Sequence, residues 1–504
     1  MNSKFDFPAN IISKSLLKFI KEADGQFVVP VYQREYKWSP TKSANVWWKD
    51  IQKLFENKDA YHFAGLVMYN ISAESSNQTE VLIIDGQQRI TTTFLLLKAI
   101  SKILPTDESE EFRKNYLFIV RKGKQRLRLK ELDFDNGCFK KIMTDQPLTD
   151  VDKKTNIYKV FKFFNEKITV YQTWDMDAFE SVLNRLYVID FPLKAEHEPQ
   201  KIFESINSKG EKLTPVDLIR NFILMNLAYK EQERLWNTYW KEIQINVRAK
   251  DMENFILNFL RLKTQKYFNE PTMYEEFKSL YEFGSQTQEE FLKELLSYSI
   301  LFKEIYYEYE NKNVNLIDFS KFTSSRYCSS VSMELLKWKY DKIITDAEFN
   351  NIFKLFNNYL LRREICELQY DLAQVFVPLL SQMDEHKLKL HDFFLFKLVN
   401  ENLDKPKRMP DDIELSSRIK ETSAYKKGFT SVLFRNIEES SDNYKITKLS
   451  KGLTIEHIMP QNPEFNSSYF EEYKNNEELF DKYLNKIGNL TLLTRHENLL
   501  ATCR

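Results

Sequence analysis

Two short polar motifs near opposite ends of this 504-residue chain carry the side chains best suited to chemistry. The first spans residues 84–89 and reads IDGQQR, and the second spans residues 454–461 and reads TIEHIMPQ. In the first motif, Gly86 separates an apolar strand from a helix and would let the backbone approach a ligand closely. The start of that helix offers free N–H groups and a positive dipole end to a phosphate. The first motif therefore predicts a turn that handles phosphates.

The side chains around this turn fit the same chemistry. Arg89 supplies a planar fork that can bind a phosphate through two hydrogen bonds, and Thr91 places a hydroxyl at the helix start. Asp85 could hold a metal ion or polarise a water molecule. So short a motif is weak evidence, and a capped strand-to-helix turn with a surface arginine explains it equally well.

The second motif belongs to a strand–loop–strand–helix pattern. A strand over residues 452–459 ends at Pro460, a second strand covers residues 487–493 (IGNLTLL), and a helix starts near Thr494. This is the plan of ββα-metal nucleases. In these enzymes a base activates water beside the scissile phosphate, and a divalent metal stabilises the phosphate and the leaving oxygen.

The pattern assigns a role to each polar side chain of this second motif. His457 is the expected base, and Asn489 is expected to orient its imidazole through a hydrogen bond. Glu456 and Asn498 are the expected ligands of Mg²⁺ or Mn²⁺, because hard cations prefer oxygen donors, and His496 is the second choice on the closing helix. A Glu-His pair alone carries little weight, whereas EHIMPQN followed by IGNLTLL is much more specific.

Composition bounds the class of protein. Hydrophobic residues make up 42% and aromatic residues 14%, and only 10 glycines accompany 39 Phe and 26 Tyr, which predicts a packed, mostly helical α+β protein. Lys plus Arg and Asp plus Glu both number 73, so a DNA partner would need a local basic face. The four cysteines form no Cys-x-x-Cys pair, and no apolar run is long enough to span a membrane. We therefore expect a soluble, cytoplasmic protein.

Hydrophobic periodicity places the first motif on secondary structure. Residues 11–23 are predicted to be an amphipathic helix, and a second helix is predicted to begin at Ser39, its N-cap, with Pro40 in its first turn. A strand pair is predicted over residues 64–71 and 80–84. Its second strand runs into the IDGQQR turn and then into a buried helix.

The rest of the chain is predicted to be mainly helical. The basic stretch RKGKQRLRLKELDF, residues 121–134, is predicted to be a strand or hairpin, whereas residues 155–190 and 230–440 are predicted to be helices. Three domains are expected: a nucleotide-binding domain over 1–230, a helical domain over 231–440 and a nuclease domain over 441–504.

Further motifs surround the first turn and make it more specific. In chain order these are QREYKW at 33–38, HFAG at 62–65, IDGQQR at 84–89 and IFESINSKGEKLTPVDLIRN at 202–221. Together they resemble the N-terminal domain of the GmrSD-type restriction proteins, a domain related to the ParB/sulfiredoxin fold. The resemblance implies nucleotide binding and hydrolysis that regulates nuclease action on DNA. It also implies a nucleotide site lined by Gln33, Arg34, Asp85, Gly86, Gln87, Gln88, Arg89 and Thr91, and closed by Asn207, Lys209 and Gly210.

The second motif resembles the C-terminal HNH-like domain of the same family. In that family the closing helix continues past the Glu-Asn pair with another Asn, whereas this sequence has Cys503 near that position and stops at Arg504. We therefore expect a short closing helix, which puts the third metal ligand in question. A truncated or degenerate protein, a split protein completed by a partner, and a shorter variant all fit this end.

Three sets of side chains keep two interpretations each. Tyr36 and Trp38 either stack on a base or plug the core beside the sheet. His62 is either a hydrogen-bonded structural residue, the commoner case, or a ligand. Arg362 and Arg363 either contact a phosphate backbone or make intramolecular contacts.

The expected function is an NTP-regulated, metal-dependent endonuclease that acts on foreign, possibly modified, double-stranded DNA. One alternative is an NTP-binding DNA sensor that does not cut. Another is a regulatory partner that positions a separate nuclease subunit. A homodimer or a partner subunit is compatible with each of these, and the sequence indicates no membrane partner.

Overall fold

The computed structural model describes residues 11–23, 25–74, 78–121, 123–193, 201–204, 213–225, 227–284, 286–308, 313–400, 406–440, 453–459, 461 and 477–494. The chain divides into two compact units, residues 1–240 and 241–504. The fold is α+β and mostly helical, as expected from composition. The division into three domains stays a prediction. Among the described residues, no helix is both long and apolar enough to cross a membrane.

A mixed six-stranded sheet organises the first unit. Its strands are β1 (Ile12–Ser15), β2 (Gln26–Val28), β3 (His62–Glu74), β4 (Gln78–Asp85), β7 (Leu129–Lys130) and β8 (Leu186–Leu193). Their order across the sheet is β1-β8-β3-β4-β2-β7. Strands β3 and β4 are antiparallel, as the sequence predicted, whereas β8 runs parallel to β3 and β2 runs parallel to β4 and β7. A separate antiparallel hairpin consists of β5 (Phe118–Arg121) and β6 (Lys124–Leu127).

Helices cover this sheet and complete its core. They are α1 (Leu16–Glu22), α2 (Ser43–Glu56), α3 (Gln87–Ser101), α4 (Thr106–Tyr116), α5 (Asp133–Met143), α6 (Asn156–Ile168), α7 (Met176–Leu183), α8 (Pro215–Met225) and α9 (Tyr229–Leu235). Helix α3 is buried along its whole length and packs against α6. Trp47 and Trp48 of α2 both pack against Phe164 of α6 with inclined rings, and each ring centroid lies 6.0 Å from that of Phe164. Helix α3, which carries the first motif, therefore lies at the centre of the hydrophobic core of the first unit.

Three predicted elements differ in the structure. Residues 12–15 form strand β1 rather than the start of a helix, because they pair with the edge of β8. Helix α2 begins at Ser43, after a turn over residues 40–42, so Ser39 is not its N-cap. Strand β8 begins within the region over 155–190 that was predicted to be helical. It is a short apolar run, and such a run cannot be distinguished from a buried helical segment by periodicity alone.

The second unit is built mainly from helices packed through aromatic rings. Its helices are α10 (Lys241–Asn246), α11 (Met252–Thr264), α12 (Met273–Phe283), α13 (Gln288–Tyr306), α14 (Val314–Lys321), α15 (Ser329–Tyr340), α16 (Asp346–Ile365), α17 (Ala373–Phe376), α18 (Leu380–Met383), α19 (Leu390–Leu395), α20 (Asp412–Ile419), α21 (Gly428–Ser440) and α22 (Glu477–Leu484). In α16, Phe356 meets both Phe376 and Phe394 edge-on at 5.0 Å. The predicted run of core helices is therefore confirmed.

The arginine pair of α16 is used inside the second unit. Arg363 is buried and donates to the carbonyls of Pro406 (3.0 Å) and Arg408 (2.7 Å). Arg362 donates to the carbonyl of Pro410 and forms an ion pair with Asp412 at 2.6 Å. These contacts favour the intramolecular interpretation of the pair.

The described C-terminal strands form an antiparallel hairpin. Strand β9 (Leu453–His457) pairs with β10 (Leu490–Thr494), and His457 stands opposite Leu490. A 3₁₀ turn, Ile487–Asn489, leads into β10. Both predicted strands exist, but the second begins at Leu490 rather than at Ile487 and still includes Thr494. The rest of the predicted closing helix lies outside the described residues.

The start of α21 depends on close backbone packing, which a substitution can test. A Cβ atom at Gly428 would overlap the carbonyl oxygen of Lys321 at the end of α14. We expect Gly428→Ala to lower the free energy of unfolding by about 1–3 kcal/mol, because the added methyl overpacks rigid backbone. Gly137→Ala in α5 is the matched control. Its Cβ would meet nothing within 4 Å, so we expect a small gain from helix propensity. Equal urea midpoints for both variants would contradict this.

Candidate functional site

The turn from β4 into α3 is formed by close contact between two glycines and their neighbours. Gly86 has a φ of 94°, and a Cβ there would lie 2.8 Å from the carbonyl oxygen of Leu66. Gly65 in β3 has a φ of 108°, and a Cβ there would lie 3.0 Å from the Arg89 guanidinium carbon. Arg89 donates from Nη1 to the Leu66 carbonyl at 2.7 Å. The positive φ values and the close approach both require glycine.

The loop over residues 33–38 lies along the start of α3 and is tied to it by side-chain amides. Gln88 accepts the backbone N–H of Lys37 at 2.8 Å and donates to the carbonyl of Glu35 at 3.3 Å. Gln87 donates to the carbonyl of Arg34 at 3.2 Å. The glutamine pair of IDGQQR therefore positions the QREYKW loop.

Gln33 is tied to the sheet rather than to the helix. It is buried and donates to the carbonyl of Ile84 at 2.8 Å. Its amide thus fixes the loop against β4 immediately before the turn. The same bond places Gln33 next to Asp85 in the structure, so the two predicted site residues lie together.

The buried side of the loop is polar. The Tyr36 hydroxyl bonds to Thr92 at 2.6 Å, and its backbone N–H donates to the Asp135 carboxylate at 2.7 Å. The Thr91 hydroxyl lies within hydrogen-bond distance of both the Glu131 carboxyl group and the Gln87 carbonyl. Tyr36 is only 4% exposed, which favours the core interpretation over stacking on a base. Thr91 is also buried, so a direct ligand contact for its hydroxyl stays a prediction.

Helix α8 supplies contacts to the loop that the sequence motifs did not assign. Arg220 donates from Nε to the carbonyl of Tyr32 at 2.8 Å and pairs with Asp217 at 2.8 Å. Asn221, with its amide turned to suit its neighbours, donates to the same Tyr32 carbonyl at 2.7 Å. Both residues belong to the quoted LTPVDLIRN motif, which was the available signal for their role.

Three side chains at the turn retain bonding capacity. Within the described part of the chain, the half-buried carboxylate of Asp85 makes no hydrogen bond or ion pair. The Oε1 atom of Gln87 is buried without a partner among those residues. Arg89 uses one guanidinium nitrogen on Leu66. The predicted residues Asn207, Lys209 and Gly210 lie outside the described residues.

His62 lies on the neighbouring strand and faces an acid. Its Nε2 atom is 3.8 Å from the carboxylate of Asp50 in α2. This contact joins a strand to a helix within the first unit and favours the structural interpretation of His62.

The second candidate site surrounds His457 at the end of β9. Its Nε2 atom lies 3.1 Å from Oδ1 of Asn485, and its ring centroid lies 4.1 Å from that of Tyr425. Among the described residues, Nδ1 has no partner. The imidazole is therefore held on one nitrogen and one face.

Asn489 has a different partner from the expected one. Its Oδ1 accepts the backbone N–H of Met459 at 2.7 Å, and its Nδ2 donates to the carbonyl of Leu484 at 2.7 Å. The expectation that Asn489 orients the His457 imidazole is thus wrong, because its amide is occupied by backbone groups. Asn485 makes that contact, and Asn489 fixes the loop that follows His457.

A segment before α21 supports this hairpin. Ser423 forms a β-bridge with Lys486, and the backbone N–H of Ala424 donates to the carbonyl of Asn485 at 2.8 Å. Lys486 also contacts Glu421. Residues 421–425 thus supply Tyr425, which packs on the His457 ring, and hold Asn485, which bonds to it. Sequence reasoning did not find this role because the segment lies far from either motif along the chain.

Part of the expected metal-ligand set can be located. Glu456 precedes His457 on β9, whereas Asn498 lies outside the described residues. Among the described residues, no three His, Cys, Asp or Glu side chains form a group that could hold a metal ion. The oxygen donor of Glu456 suits Mg²⁺ or Mn²⁺, and the metal site as a whole stays a prediction.

Comparison with protein families gives a match for each unit. The model of the GmrSD restriction endonuclease N-terminal domain matches residues 14–224, and that of the C-terminal domain of GmrSD restriction endonucleases matches residues 409–502. The chain belongs to the GmrSD-type restriction endonuclease family. It carries both domains of these nucleases, and DNA is the partner that the family implies. No curated protein matches the chain.

The C-terminal GmrSD match has a consequence for the site. It begins at residue 409, upstream of the expected boundary at 441, and so includes residues 421–425. These are the residues that contact Asn485 and His457 in the structure. Family match and geometry therefore place them with the β9–β10 hairpin.

The buried acids beneath the N-terminal loop give a test by pH. Burial raises the pKa of Glu131 to about 8 and that of Asp135 to about 6, against usual values near 4. The folded state then keeps protons that the unfolded state has lost. Stability should fall as pH rises from about 4.5 to 8, by at most about 1.4 kcal/mol per pH unit for each group.

Substitution of each acid should remove its own contribution to the fall of stability with rising pH. We expect Glu131→Gln to flatten the fall of the unfolding midpoint between pH 6 and 8. Asp135→Asn should flatten it only below pH 6, because the Asp135 pKa is lower. Chemical unfolding at a series of pH values measures both. A wild-type slope between pH 6 and 8 in Glu131→Gln would refute the assignment.

Proposed function

We propose that this GmrSD-type protein is a DNA endonuclease whose cutting depends on a divalent metal and is regulated by a nucleoside triphosphate. In this proposal the first unit contains a ParB-like NTP-binding domain, and the second ends in an HNH-like ββα module. The double-stranded DNA is foreign, and its modification is the feature that is sensed. The observation that carries the proposal is the fixed His457 imidazole in a chain with both GmrSD domains.

His457 is the proposed general base. Asn485 occupies Nε2, which leaves Nδ1 to take a proton from the attacking water. The water oxygen bonds to phosphorus, the bond to the leaving sugar oxygen breaks, and that oxygen takes up a proton. Tyr425 limits rotation of the ring, and Asn489 fixes the backbone after it. A base held in one orientation loses little entropy on reaching the transition state.

Glu456 and Asn498 are the proposed holders of Mg²⁺ or Mn²⁺. Their oxygen atoms are the donors that hard divalent cations prefer. When bound, such an ion would stabilise the charge on the phosphate and on the leaving oxygen.

The NTP site is proposed at the turn from β4 into α3. The N-terminus of α3 and Arg89 would hold phosphate oxygens, because both present N–H groups and positive charge. Asp85 would orient water or a metal ion for hydrolysis, and the buried Oε1 of Gln87 would accept from the ligand. The other proposed site residues are Gln33, Arg34, Gly86, Gln88, Thr91, Asn207, Lys209 and Gly210.

The alternative function is an NTP-binding DNA sensor whose nuclease module is inactive or is completed by a partner subunit. The two functions share the NTP site and differ only in whether this polypeptide cuts. Plasmid nicking separates them.

We expect the purified protein to nick plasmid DNA with Mg²⁺ or Mn²⁺ and an NTP, and His457→Ala to slow nicking by about 100-fold or more through loss of the base. The assay compares unmodified and phage-modified plasmid, with and without each NTP. His391→Ala is the control, since His391 lies outside the site and contacts Asp392. Equal nicking by His457→Ala and wild type would eliminate His457 as the base. Intact NTP hydrolysis without any nicking would favour the sensor.

Substitutions at Asn485 test the orientation of the imidazole in the same assay. We expect Asn485→Ala to lower kcat while KM for DNA stays unchanged, because the ring loses its hydrogen bond. Asn485→Asp keeps an acceptor and should restore activity. Its negative charge should raise the imidazole pKa and move the acidic limb of the pH–rate profile to higher pH. An unshifted limb in an active Asn485→Asp enzyme would argue against the contact.

For the NTP site, we expect Asp85→Asn to abolish hydrolysis with nucleotide binding retained, because shape is preserved and only the charge is lost. Arg89→Ala should lower hydrolysis by about 100-fold through loss of a charged donor to phosphate. Phosphate release and nucleotide titration measure the two effects. Lys58→Ala, an exposed lysine of the same unit, is the control. Unchanged hydrolysis in both site variants would refute the assignment.

A further inference from the structure

The β5–β6 hairpin of the first unit concentrates positive charge. Residues 121–130 read RKGKQRLRLK and contain six cationic residues and no acid, in a chain whose total charge is balanced. The strands are joined by a tight turn at Gly123, which has a φ of 73°. Arg121 stands opposite Lys124 in the ladder.

The cationic residues near the base of the hairpin, Arg128 and Lys130, have partners inside the first unit. Arg128 is buried and donates to the carbonyls of Ile20 (3.0 Å) and Asn115 (3.3 Å). Lys130 forms an ion pair with Glu233 at 2.9 Å. These two positions are therefore explained by structure.

The cations nearer the tip are different. Lys124 and Arg126 alternate along β6, so their side chains share one face of the hairpin. Both are exposed, and within the described residues neither makes a hydrogen bond or an ion pair. They thus present a pair of uncompensated positive charges to solvent.

The opposite face of the hairpin is anchored. Phe118 and Leu127 face each other across the ladder and pack against the core of the first unit. The guanidinium of Arg113 lies 5.6 Å from the centre of the Phe118 ring. The backbone N–H of Arg128 donates to the carbonyl of Leu117 at 2.8 Å. The hairpin therefore holds its cations on a fixed support rather than on a free tail.

We infer that the exposed face of this hairpin, carried by Lys124 and Arg126, binds the phosphate backbone of duplex DNA. The inference rests on DNA as the partner of the proposed nuclease, and it adds a contact surface in the first unit, separate from the His457 hairpin. DNA is the polyanion that the family acts on, and a neutral chain needs a local basic face to bind it. Phosphate contacts orient the duplex and do not read its sequence.

Salt dependence tests this surface without cutting. A fluorescent duplex is titrated with wild-type protein and with the Lys124→Gln/Arg126→Gln variant by anisotropy, in EDTA, between 50 and 200 mM KCl. Each lost phosphate contact should reduce the slope of log K against log salt by about 0.9, so we expect a reduction of about 1.8. Affinity at 150 mM salt should fall by about tenfold or more, equally for duplexes of different sequence.

Two further variants control for charge and folding. Lys49→Gln/Lys58→Gln removes two exposed lysines, one in α2 and one just after α2 ends. This variant should keep the wild-type slope of log K against log salt. Arg126→Lys keeps the charge and should retain the wild-type slope as well, because the contact is electrostatic. The urea unfolding midpoint of each variant, compared with that of wild type, reports that it is folded.

The outcomes separate this inference from the proposed function. A wild-type salt slope in the Lys124→Gln/Arg126→Gln variant, with nicking intact, would overturn the hairpin contact and leave the nuclease standing. Loss of nicking in His457→Ala with the hairpin slope effect preserved would support both. Binding to anionic vesicles but not to duplex would overturn the DNA assignment of this surface.

Discussion

The close backbone approach at Gly86 is the constraint on which the N-terminal site depends. A side chain there would meet the Leu66 carbonyl, and the left-handed backbone already disfavours any other residue. Because β3 and the turn can touch, Arg89 reaches the Leu66 carbonyl across Gly65. The helix that begins at the turn then presents both glutamines to the QREYKW loop. The close approach allowed by Gly86 thus determines the positions of Gln87, Gln88 and Arg89.

The loop is held from three directions, which bears on what a ligand has to do. Gln88 holds it from α3, Asp135 from α5 and Arg220 from α8. Each of these contacts binds backbone, and the side chains of Gln33 and Tyr36 add bonds to the Ile84 carbonyl and to Thr92. A nucleotide would therefore meet a preorganised loop and would not spend binding energy to order it. Fixing the loop in this way buries the acids Glu131 and Asp135, and this desolvation raises their pKa values.

Sequence reasoning located the turn, the β3–β4 strand pair and the β9–β10 hairpin because each is set by local pattern. It missed β8, whose place in the sheet follows from pairing with β1 and β3, which are distant in sequence. It also chose Asn489 over Asn485 as the imidazole partner. That choice depends on register: with Leu490 opposite His457, the Asn489 amide falls beside Met459. Motifs predict which residues are near, whereas register decides which of them touch.

Regulation by a nucleotide requires a contact that differs between the bound and free states. The QREYKW loop should differ little between these two states, because bonds to its backbone already fix it. Arg89 is better placed for such a difference. One of its nitrogens donates to the Leu66 carbonyl at 2.7 Å, and the other N–H groups of the guanidinium can donate to a phosphate at the helix N-terminus. A phosphate bound there would pull on the same side chain that holds β3. The turn proposed to bind the nucleotide would then also transmit its binding to the sheet.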